Sequence, residues 1–338
     1  MREHKWAIVV SATLLVAGGI LAATLGRYQI NLHTLKHILV SSLPGSSVEP
    51  ELATPTLVLW SVRLPRLIMA VMVGSALSVA GAVFQGLFRN PLVSPGILGV
   101  TAGAGFGATL AILLAGNSGF MIESSAFLWG LGAVVLAYQL GKRSGNSATS
   151  LVLSGVIVSA LFTAAVSFLK YKADIYQQLP AMVFWTMGSL NSVVWKDALR
   201  ATSIIVPGIG AIYLLRWWLN PMALGDEDAM ALGIDVAKAR VIYILIATLI
   251  VAASIASCGN IGWVGLIVPH MARSIVGSDH DALIPFSALL GGIFMLVMDT
   301  ISRTLPGGEI PVGIITAMFG APFFAYLLVR SDKGAWES

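Results

Sequence analysis

Few side chains in the long apolar stretches of this 338-residue chain could do chemistry, and their spacing points away from catalysis. Asp299, Arg303, His270 and Arg273 are the ionisable residues of interest there. An ionisable group at membrane depth is a functional candidate by default, because no water solvates its charge. Asp299 and Arg303 stand four apart with the acid first, the arrangement that pairs on one helix face. They therefore read equally as a structural ion pair. His270 follows Pro269, and an imidazole there can simply bond a carbonyl that the proline leaves free. No two histidines or carboxylates share an apolar stretch at metal-ligand spacing, and no His-Glu-x-x-His or Gly-x-Ser-x-Gly segment occurs. Cys258 is the single cysteine, which excludes an internal disulfide and a cysteine metal cluster. Gly141-Lys142-Arg143-Ser144 lacks both the first glycine and the Lys-Ser/Thr ending of a phosphate-binding loop. No catalytic residue, metal site or cofactor is expected, and uphill movement of a solute would need energy from a partner.

The elements that carry these residues are set by the solvent. A hydrocarbon core of about 30 Å needs roughly 20 apolar residues of helix to cross it. Lipid offers backbone polar groups no hydrogen bonds, so each such run must be helical. Hydrophobic residues make up 57% of the chain and charged ones 11%, far from soluble averages. The apolar runs are Trp6–Leu25, Leu67–Leu87, Gly96–Leu114, Ser124–Leu140, Leu151–Leu169, Ala201–Leu215, Val241–Ser257, Ile261–Val276, Leu283–Ile301 and Ile310–Val329. Ala181–Leu190 reads as a short amphipathic piece and not as a further crossing. The fold class is therefore all-α and polytopic, with ten transmembrane helices in a single domain over residues 1–338. No length remains for a separate soluble catalytic domain, and the first run exceeds the h-region of a cleaved signal. An even number of spans puts both termini on one side. The basic segment Met1–Lys5 and the turn Lys142–Arg143 place that side in the cytoplasm. The net charge of +4 is small and scattered, which argues against nucleic-acid binding.

Membrane helices associate through close packing of small residues. Gly74 with Ser78, and Gly103 with Gly107, carry that four-residue spacing. Ser159, Thr163 and Ser167 form a hydroxyl stripe in the fifth span. Hydroxyls facing lipid gain nothing, so this stripe either packs helices or lines a passage.

Several longer strings resemble one known family. Arg63-Leu64-Pro65-Arg66 precedes Gly74 to Leu87 and then Asn90-Pro91-Leu92-Val93-Ser94-Pro95-Gly96-Ile97-Leu98-Gly99. Trp185-Thr186-Met187-Gly188-Ser189-Leu190 follows, and then Gly262-Trp263-Val264-Gly265-Leu266-Ile267-Val268-Pro269-His270-Met271-Ala272-Arg273 with Asp279-His280. Glu309-Ile310-Pro311-Val312-Gly313 through Gly320-Ala321-Pro322-Phe323-Phe324 closes the series. Together these strings resemble the FecCD-type permeases of iron-siderophore, haem and cobalamin importers, the type II ABC importers. The resemblance runs from Arg63 to Leu328. It implies a type II importer permease fold, a homodimer with the passage on its axis, two cytoplasmic ATP-binding subunits and an extracytoplasmic solute-binding protein.

The resemblance also implies roles for particular residues. Arg63, Arg66 and Arg303 match arginines that meet acidic groups of the binding protein. Arginine suits that task because its planar fork holds a carboxylate bidentately; the alternative is that Arg63 and Arg66 only anchor a helix end among headgroups. Residues 219–240 match the loop that seats in the ATPase. Within it Asp226 and Glu227 open a short helix whose dipole favours acids, and Gly233 ends it. Ala229, Leu232 and Gly233 are expected at the ATPase groove, with the acids on its rim. Ser147, Thr149 and Ser150 match the cytoplasmic gate, or else form a plain soluble turn. Ser159, Thr163 and Ser167 join them as candidate pore residues.

The reading that results is the membrane permease of an ABC importer in the bacterial or archaeal cytoplasmic membrane, carrying a metal chelate. Ferric siderophore is the expected cargo by family frequency, with haem, cobalamin or molybdate/tungstate as alternatives. The rival class is a self-sufficient ion-coupled secondary transporter, which would need inverted repeats or buried ion-coordinating acids near the midplane.

Overall fold

The computed structural model describes residues 5–41, 50–116, 118–145 and 147–331, and its regular structure there is entirely helical. The helices are α1 Lys5–Thr24, α2 Leu32–Ser41, α3 Ala53–Leu57, α4 Leu64–Leu87, α5 Val100–Ala115, α6 Gly119–Arg143, α7 Ala148–Lys172 and α8 Gln178–Met187. They continue with α9 Trp195–Leu215, α10 Leu219–Leu224, α11 Asp226–Ala231, α12 Val236–Cys258, α13 Val264–Val276, α14 His280–Thr304 and α15 Val312–Ser331. Each of the ten expected spans falls on one of these helices, and the amphipathic piece falls on α8. The charges that precede Lys5 lie outside the described residues.

Seven helical segments are long and apolar enough to cross a membrane. Three apolar helices are shorter, and α13 with 13 residues reaches only roughly 20 Å at 1.5 Å per residue. The shortfall has local causes. Pro91, Pro95 and the left-handed Gly99 (φ 90°) keep residues 90–99 in turns, so α5 starts at Val100 and not at Gly96. Proline supplies no N–H donor and restricts the residue before it. At the other extreme, α4 is the last part of a continuous 38-residue helical segment, Pro50–Leu87. A π-helical turn over Val58–Arg63 feeds directly into α4.

That helix is the axis of the bundle. It is buried along most of its length and packs against α14, α12, α13, α9 and α1. The small-residue spacing explains how. A Cβ on Gly74 would lie 2.1 Å from the carbonyl oxygen of Gly291, and one on Gly291 would lie 2.3 Å from that of Gly74. Backbone therefore meets backbone where α4 crosses α14, a contact that only glycine permits. Ser75 Oγ donates across the same crossing to Ala288 O at 2.7 Å. Gly103 and Gly107 do the equivalent between α5 and α6, where Trp129 O and Ser125 O leave no room for a Cβ. Both spacings thus serve helix packing.

The chain direction alternates, so the bundle has two distinct ends. One carries α2, α3, α8 and the α14–α15 connection; the other carries α10 and α11.

Candidate functional site: groove, charged rim and loop

The hydroxyl stripe on α7 borders a groove with a volume of about 580 Å³. Ser159 and Thr163 line it, facing Ser94 and Thr101 from the segment before and at the start of α5, with Thr186 of α8 and Asn260 behind them. Ser167 continues the exposed stripe and donates to Thr163 O at 3.0 Å. The wall is thus neutral, with five hydroxyl side chains set among apolar ones such as Ile97, Val156, Val166 and Trp185, and no charged side chain in it. Such a surface can exchange hydrogen bonds with a polar solute without trapping it by charge. Ser94, Thr101, Thr186 and Asn260 were not among the expected pore residues, because only folding brings their segments beside α7. Ser147 and Ser150 sit below the groove as the cap of α7. Ser147 Oγ accepts from Ser150 N at 3.1 Å, and Ser150 Oγ donates to Ser144 O at 2.7 Å. This is an ordinary serine N-cap; Thr149 is exposed beside it.

The arginines occupy the α2 end, but not as free surface charges. Arg63, Arg66 and Arg303 are only 5%, 6% and 5% exposed. Arg63 donates to Ala23 O and Tyr28 O. Arg303 donates to Leu25 O at 2.6 Å and Ala22 O at 2.5 Å. The last carbonyls of α1 have no partner within their own helix, and cations suit that end of the helix dipole, so the two arginines cap α1. Arg66 instead joins two carboxylates, Asp299 at 2.8 Å and Glu309 at 2.7 Å. Asp299 also lies 3.3 Å from Arg303, the four-apart pair expected from the sequence. The donors of all three arginines are engaged inside the chain. Three guanidinium groups face two carboxylates, so the cluster keeps one net positive charge at this end. Glu309 was missed as a partner because nothing in the sequence links it to Arg66.

At the opposite end, α10 and α11 are tied to the bundle at several points. Asn220 Nδ2 donates to Asp279 Oδ1 at 2.7 Å, and Asn220 Oδ1 accepts from the His280 N–H at 2.8 Å. Burial by itself would raise the Asp279 carboxyl. Hydrogen bonds from the Asp281 N–H and the Asn220 amide outweigh it and hold that carboxyl below its ordinary value. Arg216 reaches Asp281 at 3.1 Å. Asp226, whose side chain is 41% exposed, meets Arg240 at 2.9 Å and Arg89 at 4.0 Å, and so ties the start of α11 to α12. Glu227 stays exposed. Gly233 ends α11 at φ 80°, a left-handed conformation that glycine takes without strain. Ala229, expected at a partner's groove, is 0% exposed and packs inward. The apolar side chains that do project are Leu232, 68% exposed, with Met230 and Leu224.

Comparison with known proteins agrees with this arrangement. The FecCD transport family profile matches residues 14–330. The molybdate import system permease protein MolB of Haemophilus influenzae is 38% identical over 322 residues, 95% of this chain and 94% of that one. The hemin transport system permease protein HmuU of Yersinia pestis is 38% identical over 279 residues, 81% of this chain and 83% of that one. Among solved structures, an inward-facing metal-chelate type ABC transporter superposes with a TM-score of 0.85. It shares 37% identity and covers 96% of this chain and 98% of its own. With a family profile over nearly the whole chain and permease relatives matched over most of theirs, the chain belongs to the FecCD transport family of ABC importer permeases.

Proposed function

We propose that two copies of this chain enclose a passage between their α7 faces, through which a metal chelate enters the cell. The observation that carries the reading is the neutral groove bordered by Ser159 and Thr163, which is open on one side in the single chain. On a two-fold axis, two such half-grooves make one hydroxyl-lined channel, since cyclic dimers bring the same surface together from both copies. The termini and the α11 end lie in the cytoplasm. Met230 and Leu232 there seat in an ATP-binding subunit, with Glu227 at the rim, and Gly233 sets the angle at which the loop leaves. Ser147, Thr149 and Ser150 close the passage at the same end.

At the outer end, an acidic face of a solute-binding protein docks over the Arg63–Arg66–Arg303 cluster, drawn by its residual positive charge. Docking outside and nucleotide binding inside bias the same two conformations, so each must alter the other's affinity. Ferric siderophore is the proposed cargo. The second reading, a molybdate-type oxyanion, is favoured by the Haemophilus influenzae relative named for that substrate. Titrating the cognate binding protein with ferric hydroxamate, haem, cobalamin and molybdate separates them; tight binding of molybdate alone would replace the first reading with the second.

A further inference from the structure

A second cavity lies on a different face, between α6, α9 and α12, and nothing in the transport reading uses it. Its volume is about 360 Å³ and its floor is apolar, formed by Phe127, Leu128, Ile204 and Ala253. Its mouth is charged. Arg200 Nη2 lies 2.7 Å from Glu123 Oε2 and 2.6 Å from Asp197 Oδ1, and its guanidinium stands 5.6 Å from the Phe120 ring centre. Asp197 Oδ2 accepts the Val194 N–H at 3.1 Å, which caps α9.

Depth fixes the setting. Glu123 is in the second turn of α6, and Asp197 and Arg200 are in the first two turns of α9. These two helices start at the same end of the bundle, so the charged mouth stands nearer that end and the apolar floor nearer the middle of the helices. Two atoms at the mouth have no hydrogen-bond partner among the described residues: Arg200 Nη1, a donor, and Glu123 Oε1, an acceptor.

We infer that this cavity is a binding site for a phospholipid with a primary-ammonium headgroup, the phosphatidylethanolamine class. The headgroup ammonium donates to Glu123 Oε1, and the Asp197 carboxylate adds attraction. The phosphate accepts from Arg200 Nη1 in a charge-assisted bond, and one acyl chain lies along Phe127, Leu128 and Ile204. A choline headgroup has no N–H to donate. A glycerol headgroup brings a phosphate with no balancing cation and no ammonium to donate to Glu123. The site therefore selects by charge pattern, whereas an ordinary lipid-facing groove selects only by fit.

The test is native mass spectrometry of the delipidated protein titrated with phosphatidylethanolamine, phosphatidylcholine and phosphatidylglycerol of identical acyl chains. Losing one charged hydrogen bond is worth roughly tenfold in affinity. The wild type should therefore retain the ethanolamine lipid at roughly tenfold lower concentration than either competitor, and E123Q should erase that preference. Equal retention of all three lipids would overturn the proposal, as would a preference for phosphatidylglycerol. Where E123Q does not fold, a photo-crosslinkable ethanolamine lipid on wild-type protein decides the matter. Adducts on α6 or α9 near Phe127 or Ile204 support the site, and adducts elsewhere refute it.

Discussion

Arg66 Nε lies 2.8 Å from Asp299 Oδ1, joining residues 233 positions apart. The bond fastens the start of α4 to the far end of α14, and through Glu309 it also holds the connection to α15. Asp299 is 0% exposed, so its charge is tolerable only while its cations stay in place. Breaking a buried pair from one side typically costs about 3–5 kcal/mol. R66A should lower the thermal stability of the purified protein by a corresponding amount. Unchanged stability combined with lost binding-protein association would instead make Arg66 a direct docking residue.

The α4–α14 crossing depends on two glycines in mutual contact. Over-packing in a core costs about 1–3 kcal/mol or more, and here the obstacle is backbone, which cannot rotate away. Gly291→Leu should therefore reduce yield and melting temperature. Wild-type thermal stability for this variant would mean that the two helices are not held backbone to backbone.

The α11 loop makes opposite forecasts for neighbouring residues. Met230 and Leu232 project outward, and changes at exposed positions usually stay within about 0.5 kcal/mol. M230E with L232E should leave melting unchanged yet abolish copurification of the ATP-binding subunit. Ala229→Trp faces inward and should lower stability along with recruitment. If the double variant retains full ATPase copurification, the contact lies elsewhere.

Asp279 supplies a pH dependence. Its carboxyl is held below its ordinary value in the folded state, so its contribution is fully present above the unfolded value, about 3.9. It fades as pH falls through the lower folded value. Hydrogen exchange at Asn220 and Asp281 should hence stay slow at neutral pH and quicken only in strong acid. D279N should show the faster exchange already at neutral pH. Identical exchange in D279N and wild type would remove Asp279 as the anchor of α10.

Much of this fold was legible because the membrane constrains it. Apolar runs such as Val241–Ser257 have no choice but helix, and α12 Val236–Cys258 followed. The glycine spacing at Gly74 foretold a close crossing, though not its partner Gly291, which lies on another helix. The arginines were recognisable by motif, but their acceptors were not. Ala22, Ala23 and Leu25 offer backbone carbonyls, which carry no signature in side-chain identity. Ala229 and Leu232 could not be assigned opposite faces from a six-residue helix, because packing against the bundle decides which side turns inward. The groove residues Thr101 and Asn260 belong to distant segments that share a wall only in the folded chain.

The central claim is that this chain is a passage energised from outside itself. It is tested by reconstituting the purified permease in liposomes, alone and with its ATP-binding subunits and loaded binding protein, and measuring solute accumulation. The account predicts ATP-dependent uptake only in the complete assembly, and its loss in T163W, which fills the groove, while the assembly stays intact. Uphill accumulation by the permease alone, driven by a proton or sodium gradient, would contradict it.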